Sequence, residues 1–301
     1  ISDKAIRASE HSEGAFVNLL NEEMEGLVKA SSFNFGRMLF GDGSGFLAKI
    51  TGNTTNTITV DTVINLMEGM VVDVVTSTGS AIKTTLRITS IDRANKVVTF
   101  TTSSLTDSEF AGFKLCVQGS YNNEITGLGA IFKSTGSLYG LNRASYRWMT
   151  PYMKDISDTT KTDISEVVMQ RAIDELDEVS NSKVDFIVCS AGVKRNYQSY
   201  LASYRSNVDV LNLEGGFKAI SYNGIPLVSD RFVPANTMYL LNTKEFNLHQ
   251  LCDWKWLEGE DGRVIKQNPN HATYSATLVK YADLICNKPC GQAVIRNIAE
   301  V

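Results

Sequence analysis

The stretch Gly216-Phe217-Lys218-Ala219-Ile220-Ser221-Tyr222-Asn223-Gly224-Ile225-Pro226-Leu227-Val228-Ser229-Asp230-Arg231-Phe232-Val233-Pro234-Ala235-Asn236-Thr237-Met238-Tyr239-Leu240-Leu241-Asn242 decides the reading of this chain. It reads as two apolar strands, broken by a Gly-x-Pro bend at Gly224 and Pro226. After Asp230, a Pro-x-Asn turn at Pro234 and Asn236 leads into the last strand. Glycine and asparagine accept the positive φ that tight turns need, and proline presets its own φ. The segment offers hydrophobic scaffold and turn chemistry, with no obvious nucleophile or base in it.

Working outward, the composition is that of a folded protein. Of 301 residues, 43% are hydrophobic and 21% charged, enough to bury a large core without disulfides or metal. The formal charge of −4 argues against an autonomous nucleic-acid binder, which carries a basic footprint. No apolar run approaches the roughly 18 residues of a membrane span, and the polar start Ile1-Ser2-Asp3-Lys4 has no signal-peptide core. The five cysteines, 116, 189, 252, 286 and 290, are irregularly spaced and read as reduced, mostly buried small apolar residues.

Residues 1–30 read as a partly amphipathic helix, with Phe16, Leu19, Leu20, Glu23 and Leu27 at helical spacing. The glycine-dense joint Gly41-Asp42-Gly43-Ser44-Gly45 reads as a hinge, since no Lys-Ser/Thr pair follows to make a phosphate loop. From 46 to 120 the chain turns to Thr, Val, Ile and Ser, the β-formers. Strands are expected at Thr57–Asp61, Met70–Val75, Thr84–Asp92 and Lys96–Thr101, the last two joined by the turn Asp92-Arg93-Ala94-Asn95. That block reads as a compact all-β insertion, a small barrel or sandwich.

Asp163 and Glu166 have capping-box spacing. Ile164, Val167, Val168, Ala172, Ile173, Leu176 and Val179 follow at three- and four-residue steps, which predicts an amphipathic helix ending near Ser180-Asn181. Ile164, Val168, Ala172 and Leu176 are its expected core face. A strand Val184–Ser190 and a helix near Val193–Tyr204 follow. Trp254 and Trp256 alternate about Lys255, so both indoles face one side of a strand. Ala272–Leu284 suits a long half-exposed strand, and Ala293–Ile298 is expected to pair back on it.

The search for chemistry comes back empty. His11, His249 and His271 lack ligand spacing, and Cys286-x-x-x-Cys290 has no second pair to complete a zinc site. Asp253, Glu258, Glu260 and Asp261 lack the alternation of a calcium loop, and no Gly-x-Ser-x-Gly elbow is present. We therefore expect no enzyme, no catalytic residue, no cofactor and no metal.

The quoted segment closely resembles the aromatic-Asn-Gly-x-Pro, Asp and Pro-x-Asn run of tailed-bacteriophage major capsid proteins of the Hong Kong 97-type fold. Gly136-Ser137-Leu138-Tyr139-Gly140-Leu141-Asn142-Arg143, followed by Trp148, is similar to that family's Gly-(Ile/Leu)-(Asp/Asn)-Arg lead-in to its long helix. The resemblance covers about 1–48 and 121–301 and lies in the order of the parts. It implies an α+β fold with an N-terminal arm at 1–45 and an extended loop enlarged by a β-rich insertion at 46–135. A peripheral domain with the spine helix at 136–185, an axial domain at 186–258 and peripheral return strands at 259–301 complete the expectation. The motif residues are Gly224, Pro226, Asp230, Pro234 and Asn236.

The function so implied is self-assembly, through hexamers and pentamers, into the icosahedral head that encloses double-stranded phage DNA. Portal, scaffold or decoration proteins are the implied partners, with no sequence-specific DNA binding and no membrane. The location implied is the virion, with assembly in the host cytoplasm. A start at Ile1 without Met further suggests, by that resemblance, a helical scaffolding segment removed after the shell forms. No crosslinking residues are carried over. The alternatives are an encapsulin-type compartment and a β-rich adhesion or carbohydrate-binding protein built around 46–120.

Overall fold

The computed structural model describes residues 1–9, 13–101, 105, 110–157, 160–203, 210–212, 218–259 and 262–301, without the side chains of 6, 8, 9, 13–20, 210–212, 218 and 219. The chain opens with helices α1 (Asp3–Ser9) and α2 (Glu13–Phe40). Six strands follow: β1 (Phe46–Asn53), β2 (Thr57–Val60), β3 (Val71–Val75), β4 (Ala81–Asp92), β5 (Val97–Phe100) and β6 (Lys114–Val117). After α3 (Leu128–Ile131) come β7 (Ser137–Leu138), β8 (Leu141–Asn142) and β9 (Tyr152–Asp155). Helix α4 (Glu166–Ser180), β10 (Phe186–Cys189) and α5 (Ala191–Ser203) lead to β11 (Val210–Asn212), β12 (Lys218–Tyr222), β13 (Ile225–Ser229) and β14 (Met238–Leu241). The end of the chain holds β15 (Phe246–Trp256), β16 (Lys266–Gln267), β17 (Tyr274–Ser275), β18 (Leu278–Cys286) and β19 (Ala293–Arg296). Among the described residues no helix is long and apolar enough to cross a membrane.

Two compact units result: Ile1–Gly36 with Leu248–Ile285, and Arg37–Asn247 with Cys286–Val301. In the larger unit, β1 to β6 close into a barrel of order β1-β2-β5-β4-β3-β6. Ile50, Ile58, Val72, Val98, Phe110 and Leu115 fill it and are almost wholly buried. Alternation makes this possible: β2 and β5 each bury every second side chain, Ile58 and Val60, then Val98 and Phe100. Closure leaves no sheet edge. The four strands expected between 57 and 101 are present within one to three residues at each end. The span read as an extended loop with an added β-domain is, from 46 to 117, this single closed barrel.

The rest of the larger unit is a mixed seven-stranded sheet of order β11-β12-β13-β10-β14-β19-β9. Its middle strands β10, β14 and β19 are continuous apolar runs, buried almost end to end, as strands covered on both faces must be. Ala172 and Leu176 of α4 and Val193, Tyr197 and Leu201 of α5 share one core with Ile187, Leu227, Leu240 and Ile295 of the sheet. The spans read as axial (186–258) and peripheral (136–185 and 259–301) thus contribute strands to one sheet and one core.

Three details depart from expectation. Ala293–Arg296 pairs antiparallel with β14 and parallel with β9, not with the half-exposed strand before it. Its Ala293, Val294 and Ile295 are wholly buried and belong in the middle of a sheet. The expected strand 272–284 is split into β17 and β18. Finally, α4 has no capping box: Ser165 is the N-cap, without a side-chain bond to the helix. Asp163 instead accepts a hydrogen bond from Asn196 Nδ2 at 2.7 Å, while Asn196 Oδ1 accepts from the Ile164 amide at 3.1 Å. The buried Asn196 needs both partners, and its claim outweighs the local cap. The C-terminal end is as read, with Asn181 left-handed at φ 47°.

The smaller unit is a ribbon of β15 with β18, a short pair β16 with β17, and helix α2 as far as Gly36. Phe35 meets Trp254 edge-on at 6.1 Å, and Lys280 lies over both rings. Cys252, Trp254 and Trp256 are half-buried while Leu251, Asp253 and Lys255 are exposed, the alternation expected around Lys255. Of the helical stripe read near the N-terminus, the side chains of Phe16, Leu19 and Leu20 lie outside the described residues.

Candidate assembly surfaces

The motif residues occupy turns and strand ends. Asn223 and Gly224, with φ 50° and 76°, form the two-residue turn between β12 and β13, where Tyr222 pairs with Ile225. Positive φ at both positions is the type I′ geometry that matches strand twist. Pro226 follows at the start of β13, and pairing of β13 with β10 begins only at Leu227. The missing proline N–H therefore costs that ladder nothing. At the far end of β13, Asp230 accepts a hydrogen bond from the Phe232 amide at 2.8 Å, and its own amide donates to the Cys189 carbonyl.

Asn236 is left-handed, with φ 62°. Its Nδ2 donates to the Ile298 carbonyl at 2.8 Å, and its amide donates to Glu300 Oε1 at 2.8 Å. Glu300 also accepts from the Ser190 hydroxyl ahead of α5 and packs where a side chain on Gly192 would stand. The Pro-x-Asn turn is thus clasped by residues 298–300, a relationship with no signal in the sequence. Pro234 is exposed and lines a cleft of ≈ 450 Å³ with Phe40, Phe46, Ile64 and Phe232. The structure brings Gly224 to one end of β13 and Asp230 to the other, and Pro234 and Asn236 to a separate turn.

Tyr222 and Asn223 tie this hairpin to α4. Tyr222 Oη donates to Gln170 Oε1 at 2.9 Å and Asn223 Nδ2 donates to the same oxygen at 3.0 Å. Of the expected core face of α4, Ala172 and Leu176 are buried, and Val168 packs against the core partly exposed. Ile164 is buried but precedes the helix, while Val167 and Val179 of the predicted stripe are exposed. Met169, not singled out by the spacing, is buried in their place.

The buried charged groups are spent on structure. Arg143, the arginine of the Gly140-Leu141-Asn142-Arg143 run, donates to the carbonyls of Lys133, Met149 and Ala130 at 2.7 to 2.8 Å. Burial pulls its pKa down from the usual guanidinium value. Asp73 accepts from the amides of Thr85 and Gly119 across the barrel. The glycine joint is pinned, not loose: a side chain on Gly45 would collide with the Ser120 carbonyl, and Asp42 holds Lys133 at 3.0 Å. Burial works to raise the Asp42 pKa, but hydrogen bonds from Ser44 and Lys133 outweigh it and lower the value.

Burial pushes the thiols of Cys189 and Cys286 up to about 12 and that of Cys116 to about 11, so they remain neutral. Among the described residues no group of three His, Cys, Asp or Glu side chains is placed to hold a metal ion.

What the molecule does present is apolar surface. In the larger unit, Tyr146 and Trp148 meet edge-on at 6.2 Å, and Trp148 is 51% exposed. Trp148, Pro151, Tyr152 and Cys290 line a groove of ≈ 320 Å³ with Leu176 and the exposed Val179, rimmed by Arg147 and Glu175. In the smaller unit, Leu251 (91%) and Tyr281 (55%) are exposed. Contiguous exposed apolar surface, of the kind around Trp148 and Tyr146, marks contact faces, whereas single exposed side chains are ordinary on any protein.

No family model matches the sequence, and no curated protein matches it. Among solved structures, the chain is similar to a chain of the cyanophage A-1(L) capsid asymmetric unit, at 18% identity and a TM-score of 0.45. That likeness covers 59% of this chain and 61% of the other. It is also similar to the holo-SrpI encapsulin complex of Synechococcus elongatus PCC 7942, at 15% identity and a TM-score of 0.37, covering 49% and 53%. The chain thus spans between half and two thirds of each, a partial likeness of fold.

Proposed function

We propose that this protein is the building block of a closed icosahedral shell, the major capsid protein of a tailed phage, enclosing double-stranded DNA without reading its sequence. The observation that carries this reading is the pairing of spent polar chemistry with unspent apolar surface. Buried Arg143, Asp73 and Asn196 are engaged within the fold, while Trp148, Val179, Leu251 and Tyr281 stand open. The order of parts supports it further: the Asn142-Arg143 lead-in, the helix α4, and the Asn-Gly-x-Pro and Pro-x-Asn turns follow one another as in that family.

In this reading the exposed surfaces are subunit contacts, repeated around rings of five and six copies. Such contacts are heterologous and close by rotation. They bury on the order of 2,000 Å² or more in an obligate assembly. Gly224, Pro226, Asp230, Pro234 and Asn236 then serve as scaffold, and α4 as the spine helix. Portal, scaffold or decoration proteins complete the head, which assembles in the host cytoplasm and ends as the virion.

The test is mass photometry and electron microscopy of the purified chain and of shells made in cells. Closed shells that protect DNA from nuclease carry the proposal. Shells filled with a protein cargo would move the reading to an encapsulin, and a monomer stable across salt, pH and concentration would end it.

A further inference from the structure

The turn that ties β12 and β13 to α4 carries an asparagine-glycine pair, Asn223-Gly224. Asn223 and Gly224 are both exposed, and Gly224 carries no Cβ to shield its amide nitrogen. An asparagine followed by glycine is the pair in which the backbone nitrogen reaches the preceding side-chain carbonyl with least steric hindrance. We propose that Asn223 is a spontaneous deamidation site, and that Gln170 restrains the reaction by holding the Asn223 amide at 3.0 Å. The Gly224 nitrogen attacks the Asn223 side-chain carbonyl carbon. A C–N bond forms, the bond to the side-chain nitrogen breaks, and ammonia leaves with the proton lost by the Gly224 amide. Water then opens the five-membered imide at either carbonyl, giving aspartate or isoaspartate with no oxidant or reductant.

The consequence follows from what surrounds the amide. The product has lost its donor to Gln170 Oε1 and gained a carboxylate facing an acceptor oxygen. It also arrives beside a helix face that is already acidic, since Glu166 and Asp174 both act on the neighbouring Tyr222. The isoaspartate form further adds a methylene to the backbone of a two-residue turn whose register is fixed by Tyr222 and Ile225. Conversion therefore loosens the tie of the hairpin to α4, which then rests on the Tyr222 hydroxyl, and, if the shell reading holds, in a long-lived particle it would record age.

The experiment incubates the full chain in mildly alkaline buffer and follows the tryptic peptide Ala219–Arg231, in which Asn223 is the sole side-chain amide. Replacement of NH₂ by OH is read by mass, and isoaspartate by its enzymatic methylation. Conversion is expected at Asn223 in the native chain. In Gln170→Ala it should run roughly fivefold faster, the factor that one hydrogen bond corresponds to. If Asn223 stays intact in both proteins while the free peptide converts, the proposal fails. Equal rates in the two proteins would remove Gln170 from it. Asn223→Asp should lower Tm, and an unchanged Tm would overturn the claim that conversion loosens the hairpin.

Discussion

Arg37 and Glu124 form an ion pair from which water is all but excluded, their side chains being 3% and 1% exposed. Arg37 Nη1 donates to Glu124 Oε2 at 2.9 Å, and Nη2 engages the second oxygen, so the pairing is bidentate. It joins the end of α2 to the segment that leaves the barrel. Removing one partner strands a buried charge, which costs about 3–5 kcal/mol. Glu124→Leu alone should therefore lower the unfolding midpoint sharply in denaturant titration, whereas Arg37→Met with Glu124→Leu should recover most of the loss. Equal damage in single and double variants would mean that the pair also serves shape.

The register of α4 gives a second contrast. Leu176 is 1% exposed in the core, whereas Glu175 beside it faces outward. Leu176→Asp places an unpaired charge among apolar side chains, a cost of several kcal/mol, so soluble protein should fall steeply. Glu175→Ala should leave the midpoint within about 0.5 kcal/mol of wild type. The comparison is read by soluble yield and thermal melting.

Assembly is expected to separate from folding at the exposed apolar sites. Trp148→Ala and Leu251→Ser remove large side chains that stand 51% and 91% exposed. Buried aromatic anchors at interfaces cost upwards of about 2 kcal/mol when truncated. Circular dichroism and Tm should stay near wild type while mass photometry shows rings and shells giving way to monomer. Full assembly in both variants would place the contacts elsewhere.

The buried thiols set a pH limit. Cys189 and Cys286 are raised from 9.0 to about 12 by burial, so their neutral forms are favoured in the folded chain. A raised pKa contributes stability that is complete below the unfolded value of 9.0 and is lost as pH climbs toward about 12. Unfolding midpoints should thus decline through that window. Near neutral pH, alkylating reagents should label these two cysteines only after denaturation, as mass spectrometry of the digested chain would show.

The sequence disclosed elements whose pattern is local and left hidden those fixed by distant partners. The barrel strands and α4 were legible because period-two and period-3.6 patterns report burial directly, as with Ile58 and Val60 or Ala172 and Leu176. The turn at Asn223-Gly224 was legible because few residues accept its φ. Between the barrel and the sandwich that the block's pattern allowed, the sequence could not choose, since closure rests on the pairing of β1 with β6, more than sixty residues apart. The placing of β19 between β14 and β9 was equally hidden, because a buried apolar run does not name its neighbours. Arg143 stood within a recognised run, but its three carbonyl partners belong to the folded loops around it. The clasp of Glu300 on Asn236 and Ser190 spans 64 and 110 residues and has no sequence signal at all.

The barrel carries one implication beyond stability. Phe46, its first residue, lies across the ladder from Cys116, next to its last. The chain therefore enters and leaves the module at neighbouring points, and the strands between satisfy one another around a closed circle. A module of that kind is a detachable cassette: its two ends ask only for a short bridge. The barrel could be lengthened at its loops without moving the two neighbouring points at which the chain enters and leaves it. Variation in this protein's outward form has a place to accumulate without reaching the core that α4 and β19 share.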